Sequence, residues 1–403
     1  MYIPRLLSQT FRKTLKSFPA ILLTGPRQAG KTTFLLHEFG KISDYVSFDD
    51  PLERDFAFSD PNGFLDRFTK KHAILDEVQY VPHLFPYLKI RIDANRSKNG
   101  RWILTGSQQF QLMKNASESL AGRIAVMELL PFSLGEEKRA MPEKKSDHRL
   151  ERTIINGGYP EPFLHPEKRD IWIRSYIQTY IERDVRQLQN VKDMRTFESF
   201  VGMTAALHGQ TFNGAVLSRE TGVSLPTIKA WASILEASYL CYFLRPYFKN
   251  YGKRLVKTPK FYFLDSAIVC ALTRQPDALS AVSGAMGGAL FEGLIVNEAV
   301  KVFAAQGRKP DIFFWRSHDG LEVDLVIQAG GKLYPVEIKL TATPTAKHTE
   351  PLKKFKELAG PDSAGTGILV CRTNRVIDLP SNNVAIPWHR FPGWLHGIIS
   401  GIN

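Results

Sequence analysis

Cysteine is scarce in this sequence. Its 403 residues include three cysteines, Cys241, Cys270 and Cys371. They lie far apart and show neither the paired spacing of a disulfide framework nor that of a zinc site. His318, His348 and His389 also lack the spacing of metal ligands. We therefore expect a reducing compartment and a cytoplasmic location.

Long hydrophobic runs are also missing. No stretch approaches the roughly 18 apolar residues of a membrane span. The longest candidate, residues 261–272, is interrupted by Asp265. Near the N-terminus, basic residues precede a short apolar run, Ile21 to Leu23, which leads directly into a glycine-rich loop. We interpret this run as a core strand and not as a signal peptide.

Acidic residues are in deficit. The sequence has 40 Asp and Glu against 53 Lys and Arg, so its formal net charge is +13 and its pI is near 9.5. Such an excess favours a polyanionic partner, either nucleic acid or an acidic membrane surface. The alternative is that the charge lies on basic loops without a binding role. The length predicts two to three domains of about 150 residues each.

The most specific pattern is the phosphate-loop motif G-x-x-x-x-G-K-T, which runs from Gly25 to Thr32 between a strand-like and a helix-like run. Glycines let backbone N–H groups close around phosphate oxygens, and the helix N-terminus adds positive potential. Lys31 is predicted to reach the β- and γ-phosphates of ATP, and Thr32 to offer its hydroxyl to Mg²⁺. The predicted nucleotide-binding residues are Gly25, Pro26, Arg27, Gly30, Lys31, Thr32 and Thr33.

A second short apolar strand, residues 73–75, ends in Asp76 and Glu77. A strand that emerges beside the phosphate loop delivers a carboxylate to the Mg²⁺ shell, which predicts Asp76 as a metal ligand. Glu77 follows and is placed to polarise the attacking water. The alternative is an acidic turn at a strand end.

A third apolar strand, residues 102–104, ends in small polar residues that include Thr105 and Ser107. Either side chain is placed to contact the γ-phosphate or the attacking water. Arg123 is a candidate arginine for the γ-phosphate, within the subunit or across a subunit interface, and a surface arginine is the equal alternative. The alternation of apolar strands with helix-like runs predicts an α/β domain, with a doubly wound parallel sheet, over residues 1–140.

The segments GPRQAGKTT, AILDEVQ, LTGSQQF and LAGR with LLPFSLGE six residues later resemble a group of prokaryotic AAA+-like P-loop ATPases. In that group a C-terminal domain of unknown function follows the ATPase domain. The resemblance continues into Gly157–Pro160 and residues 180–185 and covers most of the chain. It implies ATP binding and hydrolysis but no particular biological role.

The middle of the chain divides into a linker with a helical segment, residues 141–205, and a winged-helix-like domain, residues 206–275. Apolar residues recur at helical spacing from Ile173 to Leu188. Charged residues lie beside them: Glu182, Arg183, Asp184 and Arg186. One interpretation is a solvated stripe of charge. The alternative is that one of the arginines reaches a neighbouring nucleotide.

Leu217, Gly222, Ile228 and Trp231 fit a helix-turn-helix. Ser224, Thr227 and Lys229 would then lead the second helix toward a DNA groove. Residues 245–260 carry six basic residues, no acid, and Tyr247, Phe248 and Tyr251, a composition that suits phosphates and stacked bases. The alternative is a winged helix that serves only as a packing module.

Residues 280–403 are predicted to form an α/β domain. Glu292 lies on a predicted helix, and Asp324, Glu337 and Lys339 lie on two strands joined by a hairpin. This D…E-x-K arrangement resembles the PD-(D/E)xK nuclease superfamily and implies a restriction-endonuclease-like fold. The three carboxylates would hold Mg²⁺, and Lys339 would position or activate the nucleophile. The alternatives are a ladder of surface charges and a nuclease-like fold used only for docking.

The leading hypothesis is an ATPase that acts on or senses nucleic acid, DNA being favoured, with or without Mg²⁺-dependent cleavage. The rival is a nucleotide-switched regulatory or protein-interaction ATPase, as a monomer or a homo-oligomer, whose C-terminal domain only docks a partner. A third and weaker interpretation is a partner at a membrane surface.

Overall fold

The computed structural model describes residues 2–106, 119–140, 149–180, 194–248 and 258–401. In these ranges the chain forms two β-sheets with helices packed against them. None of the helices described there is long and apolar enough to cross a membrane. The three cysteines are buried and free, in agreement with the absence of paired spacing in the sequence.

A five-stranded sheet forms the centre of the N-terminal domain. Its strands are β1 (Ala20–Thr24), β2 (Ser43–Ser47), β3 (His72–Asp76), β4 (Trp102–Thr105) and β5 (Ile124–Glu128). They lie in the order β2-β3-β4-β1-β5, and every pair is parallel. The predicted parallel sheet is thus confirmed, and its C-terminal edge carries the loops that follow β1 and β3.

Helices cover both faces of this sheet. They are α1 (Leu7–Leu15), α2 (Lys31–Phe39), α3 (Pro51–Ser59), α4 (Pro61–Asp66) and α5 (Phe85–Ala94), and α6 (Leu134–Ala140) follows β5. Because side chains alternate along a strand, Ile21 and Leu23 pack into one core while Ala20 and Leu22 pack into the other. Because both faces of these strands are buried, each strand appears in the sequence as an uninterrupted run of apolar residues.

The middle of the chain is helical. Its described helices are α7 (Arg149–Asn156), α8 (Pro160–Leu164), α9 (Arg169–Tyr180), α10 (Met194–Ala206), α11 (Gly214–Thr221) and α12 (Leu225–Ala237). Asn213 and Ser224 cap α11 and α12 by accepting backbone N–H bonds. Gly222 ends α11 with φ +73°, a conformation that favours glycine. The two-helix arrangement predicted from the sequence is therefore present.

The second sheet has nine strands. They are β6 (Gln210–Thr211), β7 (Cys241–Pro246), β8 (Lys260–Phe263), β9 (Ile312–Arg316), β10 (Glu322–Ala329), β11 (Lys332–Ile338), β12 (Gly367–Cys371), β13 (Ile377–Leu379) and β14 (Asn383–Pro387). Their order is β13-β14-β12-β11-β10-β9-β7-β8-β6. β7 and β9 pair in parallel, so the sheet continues across the predicted boundary between residues 206–275 and 280–403.

The remaining described helices are α13 (Ser266–Leu272), α14 (Ala278–Ser283), α15 (Gly287–Ala305), α16 (Glu350–Ala359) and α17 (Phe391–Ser400). One hydrophobic core contains side chains from α7, from α9 to α15 and from α17, and from both halves of the second sheet. The middle and C-terminal modules thus pack as one body. The predicted limits of the two modules stay a prediction. Strands of both modules pair in one sheet, and their side chains share one core.

A buried polar network joins the N-terminal domain to α15. The Glu298 carboxylate accepts the Leu134 N–H at 2.9 Å. Lys301 Nζ donates to the Phe132 carbonyl at 2.8 Å and lies 3.1 Å from Glu298 Oε1. Burial disfavours the charged form of Lys301, but the carboxylates of Glu298 and Glu137 outweigh it and raise the Lys301 pKa. These bonds hold the segment that follows β5 against α15.

Candidate functional site

The phosphate loop has the backbone conformation that the motif requires. Gly25 has φ +140°, and a Cβ there would lie 2.2 Å from the Leu129 carbonyl oxygen. Gly30 has φ +90° and stands at the N-cap of α2. No larger residue fits Gly25, so the loop that includes Pro26 and Arg27 bends tightly against the end of β5. Its N–H groups lie at the start of α2, where an anion is favoured.

Lys31 is the buried cation of the loop, with 6% of its surface exposed. Its Nζ donates to the carbonyl oxygens of Gly25 at 3.0 Å and Pro26 at 2.9 Å. These are neutral acceptors, so an incoming phosphate would offer the ammonium a charge-assisted bond in their place.

Asp76 lies at the end of β3 and is surrounded by hydroxyl groups. Its Oδ2 accepts hydrogen bonds from Thr32 Oγ1 at 2.7 Å and from the Tyr45 hydroxyl at 3.0 Å. Its Oδ1 accepts one from Thr105 Oγ1. Burial, and then the charge of Asp76, raise the pKa of Tyr45 to about 12, so this phenol stays a donor. Thr32 and Asp76 are hard oxygen donors side by side, which suits Mg²⁺.

Glu77 occupies a left-handed conformation, with φ +59°. Its backbone N–H donates to Thr105 Oγ1 at 3.4 Å, and the Gln79 amide donates to its carboxylate. A non-glycine residue in this region is disfavoured by about 1–2 kcal/mol, so the turn is held by these contacts. Glu77 lines the same cavity as Lys31 and Thr32.

A cavity of about 500 Å³ separates the phosphate loop from α8 and α9. Arg27, Gly30, Lys31, Thr32, Thr33 and Glu77 line one side. Pro160, Glu161, Tyr176 and Thr179 line the other side. The Trp172 indole N–H donates to Gln28 Oε1 at 2.8 Å and stacks on Tyr176, with ring centroids 4.9 Å apart. The middle segment thus completes the nucleotide pocket.

Sequence reasoning missed Tyr45, Trp172, Tyr176 and Thr179 as parts of this site. Tyr45 looked like any alternating residue of β2, and the others looked like the core stripe of a helix. The one available signal was the Gly157–Pro160 turn. Gly158 packs so closely that a Cβ would lie 2.5 Å from the Phe132 carbonyl oxygen, which brings α8 to the loop.

Two other predicted groups contribute no described residue to this pocket. Arg123 precedes β5, whose first residue pairs with Ala20 at the opposite edge of the sheet from the phosphate loop. Its guanidinium instead pairs with Asp93, Nε–Oδ1 2.7 Å and Nη2–Oδ2 2.9 Å. Both roles of Arg123, within the subunit and across an interface, therefore stay predictions. Ser107 and residues 181–190, which include the charged stripe, lie outside the described residues.

The four predicted C-terminal residues lie in one cluster. Lys339 Nζ is 2.6 Å from Glu337 Oε1 and 3.1 Å from Asp324 Oδ2. Burial, and then the charge of Asp324, raise the pKa of Glu337 to about 8. Glu292 lies on α15, and burial followed by the charge of Asp324 raises its pKa as well. The four residues predicted from the sequence therefore lie together, and their role stays a prediction.

Lysines already neutralise these carboxylates. Lys260 Nζ lies 2.8 Å from Glu292 Oε1 and 2.5 Å from Glu322 Oε1, and the Tyr262 hydroxyl donates to Glu292 at 2.5 Å. Over the ranges that the structure describes, no group of three or more His, Cys, Asp and Glu is arranged to hold a metal ion. In this arrangement Glu292, Asp324 and Glu337 do not fit Mg²⁺, because Lys260 and Lys339 already pair with their oxygens.

The basic aromatic segment is only partly described, because residues 249–257 lie outside the described ranges. Lys260 is buried in the acidic cluster and is not available to a phosphate backbone. Tyr247 packs edge-on against Phe313 and Phe355 and not against a base. These contacts give no support to nucleic-acid binding by the two residues, and the binding predicted for the segment stays a prediction.

Comparisons with known proteins divide the chain into three parts. Residues 17–137 match the family model described as "AAA domain". Residues 147–279 match a domain of unknown function, DUF8612, and residues 287–391 match another, DUF4143. The first match assigns an AAA-type ATPase domain to the N-terminal part. The nuclease-like fold predicted for the C-terminal part stays a prediction, because the family matched there has no assigned function.

Two curated relatives cover most of the chain. They are the uncharacterized protein Rv2008c of Mycobacterium tuberculosis and the uncharacterized protein Mb2031c of Mycobacterium bovis. Each is 33% identical over 338 residues, which is 83% of this chain and 73% of the relative.

Solved structures show more distant similarity. The Walker-type ATPase PABY2304 of Pyrococcus abyssi is 14% identical, with a TM-score of 0.45, over 66% of this chain and 94% of that chain. The RuvB Holliday junction branch migration motor of Thermotoga maritima is 14% identical, with a TM-score of 0.31, over 59% of this chain and 88% of that chain.

Proposed function

We propose that this chain, which belongs to the same family as the uncharacterized protein Rv2008c of Mycobacterium tuberculosis, is a Mg²⁺-dependent ATPase whose nucleotide lies between the phosphate loop and α9. One observation carries the proposal. The Thr32 hydroxyl, the Asp76 carboxylate, the Lys31 ammonium and Glu77 border a single cavity or bond directly to a residue that does.

Each residue has a role that follows from its contacts. Lys31 binds the phosphates, and Thr32 and Asp76 hold Mg²⁺. Bound Mg²⁺ would neutralise charge on the phosphate oxygens. Tyr45 and Thr105 are positioning residues, because they fix the Asp76 carboxylate from both sides.

Glu77 acts on the attacking water. Its left-handed backbone and the Gln79 amide hold its carboxylate at the cavity wall, where it orients the water and accepts its proton. Helix α9 lines the pocket on the other side through Tyr176 and Thr179.

The ATPase proposal is tested with the purified chain and with Glu77→Gln. We expect Mg²⁺-dependent phosphate release that stops with EDTA, and a decrease of about 100-fold in Glu77→Gln. Because glutamine keeps the shape, fluorescent ATP should bind both proteins with similar affinity. Asp55→Asn, at an exposed position of α3, is the control and should leave turnover unchanged. Equal turnover in Glu77→Gln would remove Glu77 from the mechanism.

The C-terminal cluster favours a second candidate function. The convergence of Asp324, Glu337 and Lys339 supports the proposal that this part of the chain acts on nucleic acid, either by cutting it or by docking it. The exposed face of α12 that includes Lys229 and Ser233 supports the same class of partner. The pairing of lysines with the carboxylates favours docking over cutting.

The two roles are separated by assaying DNA and RNA cleavage with Mg²⁺ present. If the domain cuts, Asp324→Asn should lower cleavage by roughly 100-fold and leave ATP turnover unchanged. If it docks, the parent protein should cut nothing. Its affinity for nucleic acid should then fall steeply with salt through counterion release. A protein that neither cuts nor binds nucleic acid would support the regulatory, protein-binding alternative.

A further inference from the structure

A second cavity, of about 540 Å³, adjoins α9 on another face. We call it the arginine cavity. Arg169, Arg174 and Arg274 line it, together with the apolar residues Ile155, Ile173 and Ala271. None of these residues lines the cavity beside the phosphate loop, which we call the triphosphate pocket. Its volume lies within the range of roughly 300–1,000 Å³ that small-molecule sites occupy.

The charge of the arginine cavity is strongly positive. Among its lining residues Asp170 is the one acid, and Arg169 Nη2 lies 2.6 Å from Asp170 Oδ1. The guanidinium groups of Arg174 and Arg274 make no hydrogen bond or ion pair with any part of the chain that the structure describes. Two cationic forks therefore face one cavity without an anion, an arrangement that matches the paired oxygens of phosphate groups.

The floor of the arginine cavity is apolar. Ile155 and Ile173 are almost fully buried, with 4% and 2% of their surfaces exposed. Ala271, which is exposed, adds apolar surface to the same lining. Arg274 has φ +54°, a conformation that arginine seldom adopts, at the turn after α13. This turn brings its side chain into the cavity wall. A ligand that fits both parts has an apolar ring and at least two negative charges.

We propose that the arginine cavity binds a nucleotide that carries at least two phosphate charges, with its base on the apolar floor and its phosphates on Arg174 and Arg274. Arginine planes and aliphatic side chains both accept the face of a base. The site is separate from the phosphate loop, since no residue lines both cavities.

Helix α9 couples the two cavities. Arg169, Ile173 and Arg174 recur at helical spacing on one face, while Trp172, Tyr176 and Thr179 recur on another, toward the phosphate loop. A ligand that orders α9 from one side therefore alters the wall of the triphosphate pocket. This coupling rests on the proposed ATPase function, whereas binding in the arginine cavity does not.

Binding is tested by calorimetry on the full chain that carries Lys31→Ala, so that the phosphate loop does not compete. The probes are adenosine 3′,5′-bisphosphate and inorganic pyrophosphate. We expect the bisphosphate to bind at least tenfold tighter than pyrophosphate, because only the bisphosphate has a base. The double variant Arg174→Gln and Arg274→Gln should weaken bisphosphate binding at least tenfold. Replacing the exposed Arg375 in the same way, Arg375→Gln, should not.

No binding of either probe at millimolar concentration would overturn the site, and so would unchanged binding in the double variant. Equal affinity for the two probes would overturn the nucleotide class. In the parent protein, the bisphosphate should change the affinity for fluorescent ATP, and ATP should change the bisphosphate affinity by the same factor. Independent binding at the two cavities would overturn the coupling alone.

Discussion

Replacing Lys31 with alanine should lower ATP turnover by at least about 1,000-fold. Lys31 is the buried cation of the pocket, and its Nζ lies 3.0 Å from the Gly25 carbonyl oxygen and 2.9 Å from that of Pro26. Alanine removes the charge that faces the phosphates and leaves these carbonyl dipoles pointing into the space where an anion would bind. Phosphate release by the purified chain, with saturating Mg²⁺ and ATP, measures the effect.

The matched control is Lys41→Ala. Lys41 is an exposed lysine just after α2 and is expected to leave turnover unchanged. Since Phe34, Leu35 and Phe39 anchor α2 in the core, both variants should fold as the parent does. Turnover within tenfold of the parent in Lys31→Ala would refute the ATPase assignment of this pocket.

Replacing Lys301 with methionine should lower the free energy of unfolding by about 3–5 kcal/mol. Lys301 neutralises Glu298, a carboxylate with no exposed surface, and also satisfies the Phe132 carbonyl. Methionine fills a similar volume but leaves a buried charge and a buried acceptor without their partner. Urea unfolding followed by far-ultraviolet circular dichroism measures the change.

The paired variant isolates the cause. Glu298→Gln combined with Lys301→Met removes both charges and keeps an oxygen to accept the Leu134 N–H. We expect it to be more stable than Lys301→Met alone, because the Glu298 charge is no longer left unpaired. The exposed Lys353→Met on α16 should change stability by no more than about 0.5 kcal/mol. A small effect of Lys301→Met, equal to that of Lys353→Met, would mean that water or another group compensates the charge.

The phosphate loop was predictable because its requirements are local. Gly25 and Gly30 occupy backbone conformations that disfavour side chains, and Lys31 and Thr32 follow at fixed spacing on the first turn of α2. Asp76 was predictable for a related reason. Parallel strands end at one edge of the sheet, so the last residue of β3 must lie near the loop after β1.

Residues that reach a site from distant parts of the chain gave no such signal. Trp172 contacts Gln28 from 144 residues away, and Tyr45 reaches Asp76 across a strand pair. Both are aromatic residues in apolar patterns, and the pattern is the same whether an aromatic side chain fills a core or lines a pocket.

The composition of a segment does not show whether its charged side chains face solvent or pair with other groups of the protein. Lys260 belongs to a basic aromatic segment that suggested nucleic acid, but β8 places it between Glu292 and Glu322. Arg123 ends the LAGR segment, and the structure pairs it with Asp93 at the edge of the sheet where β5 begins. A count of charges does not state which of them pair within the protein.

The sequence alone determined the phosphate loop, its Asp76 partner and the parallel sheet that carries them, because backbone conformation and strand order constrain these features locally. It also identified the residues of the C-terminal cluster. Only the tertiary structure decided that α9 lines the cavity beside the phosphate loop, that Lys260 and Lys339 pair with the C-terminal carboxylates, and that three arginines line a second cavity. These features depend on which distant surfaces pack together, and that is set by the shared core and not by any one segment.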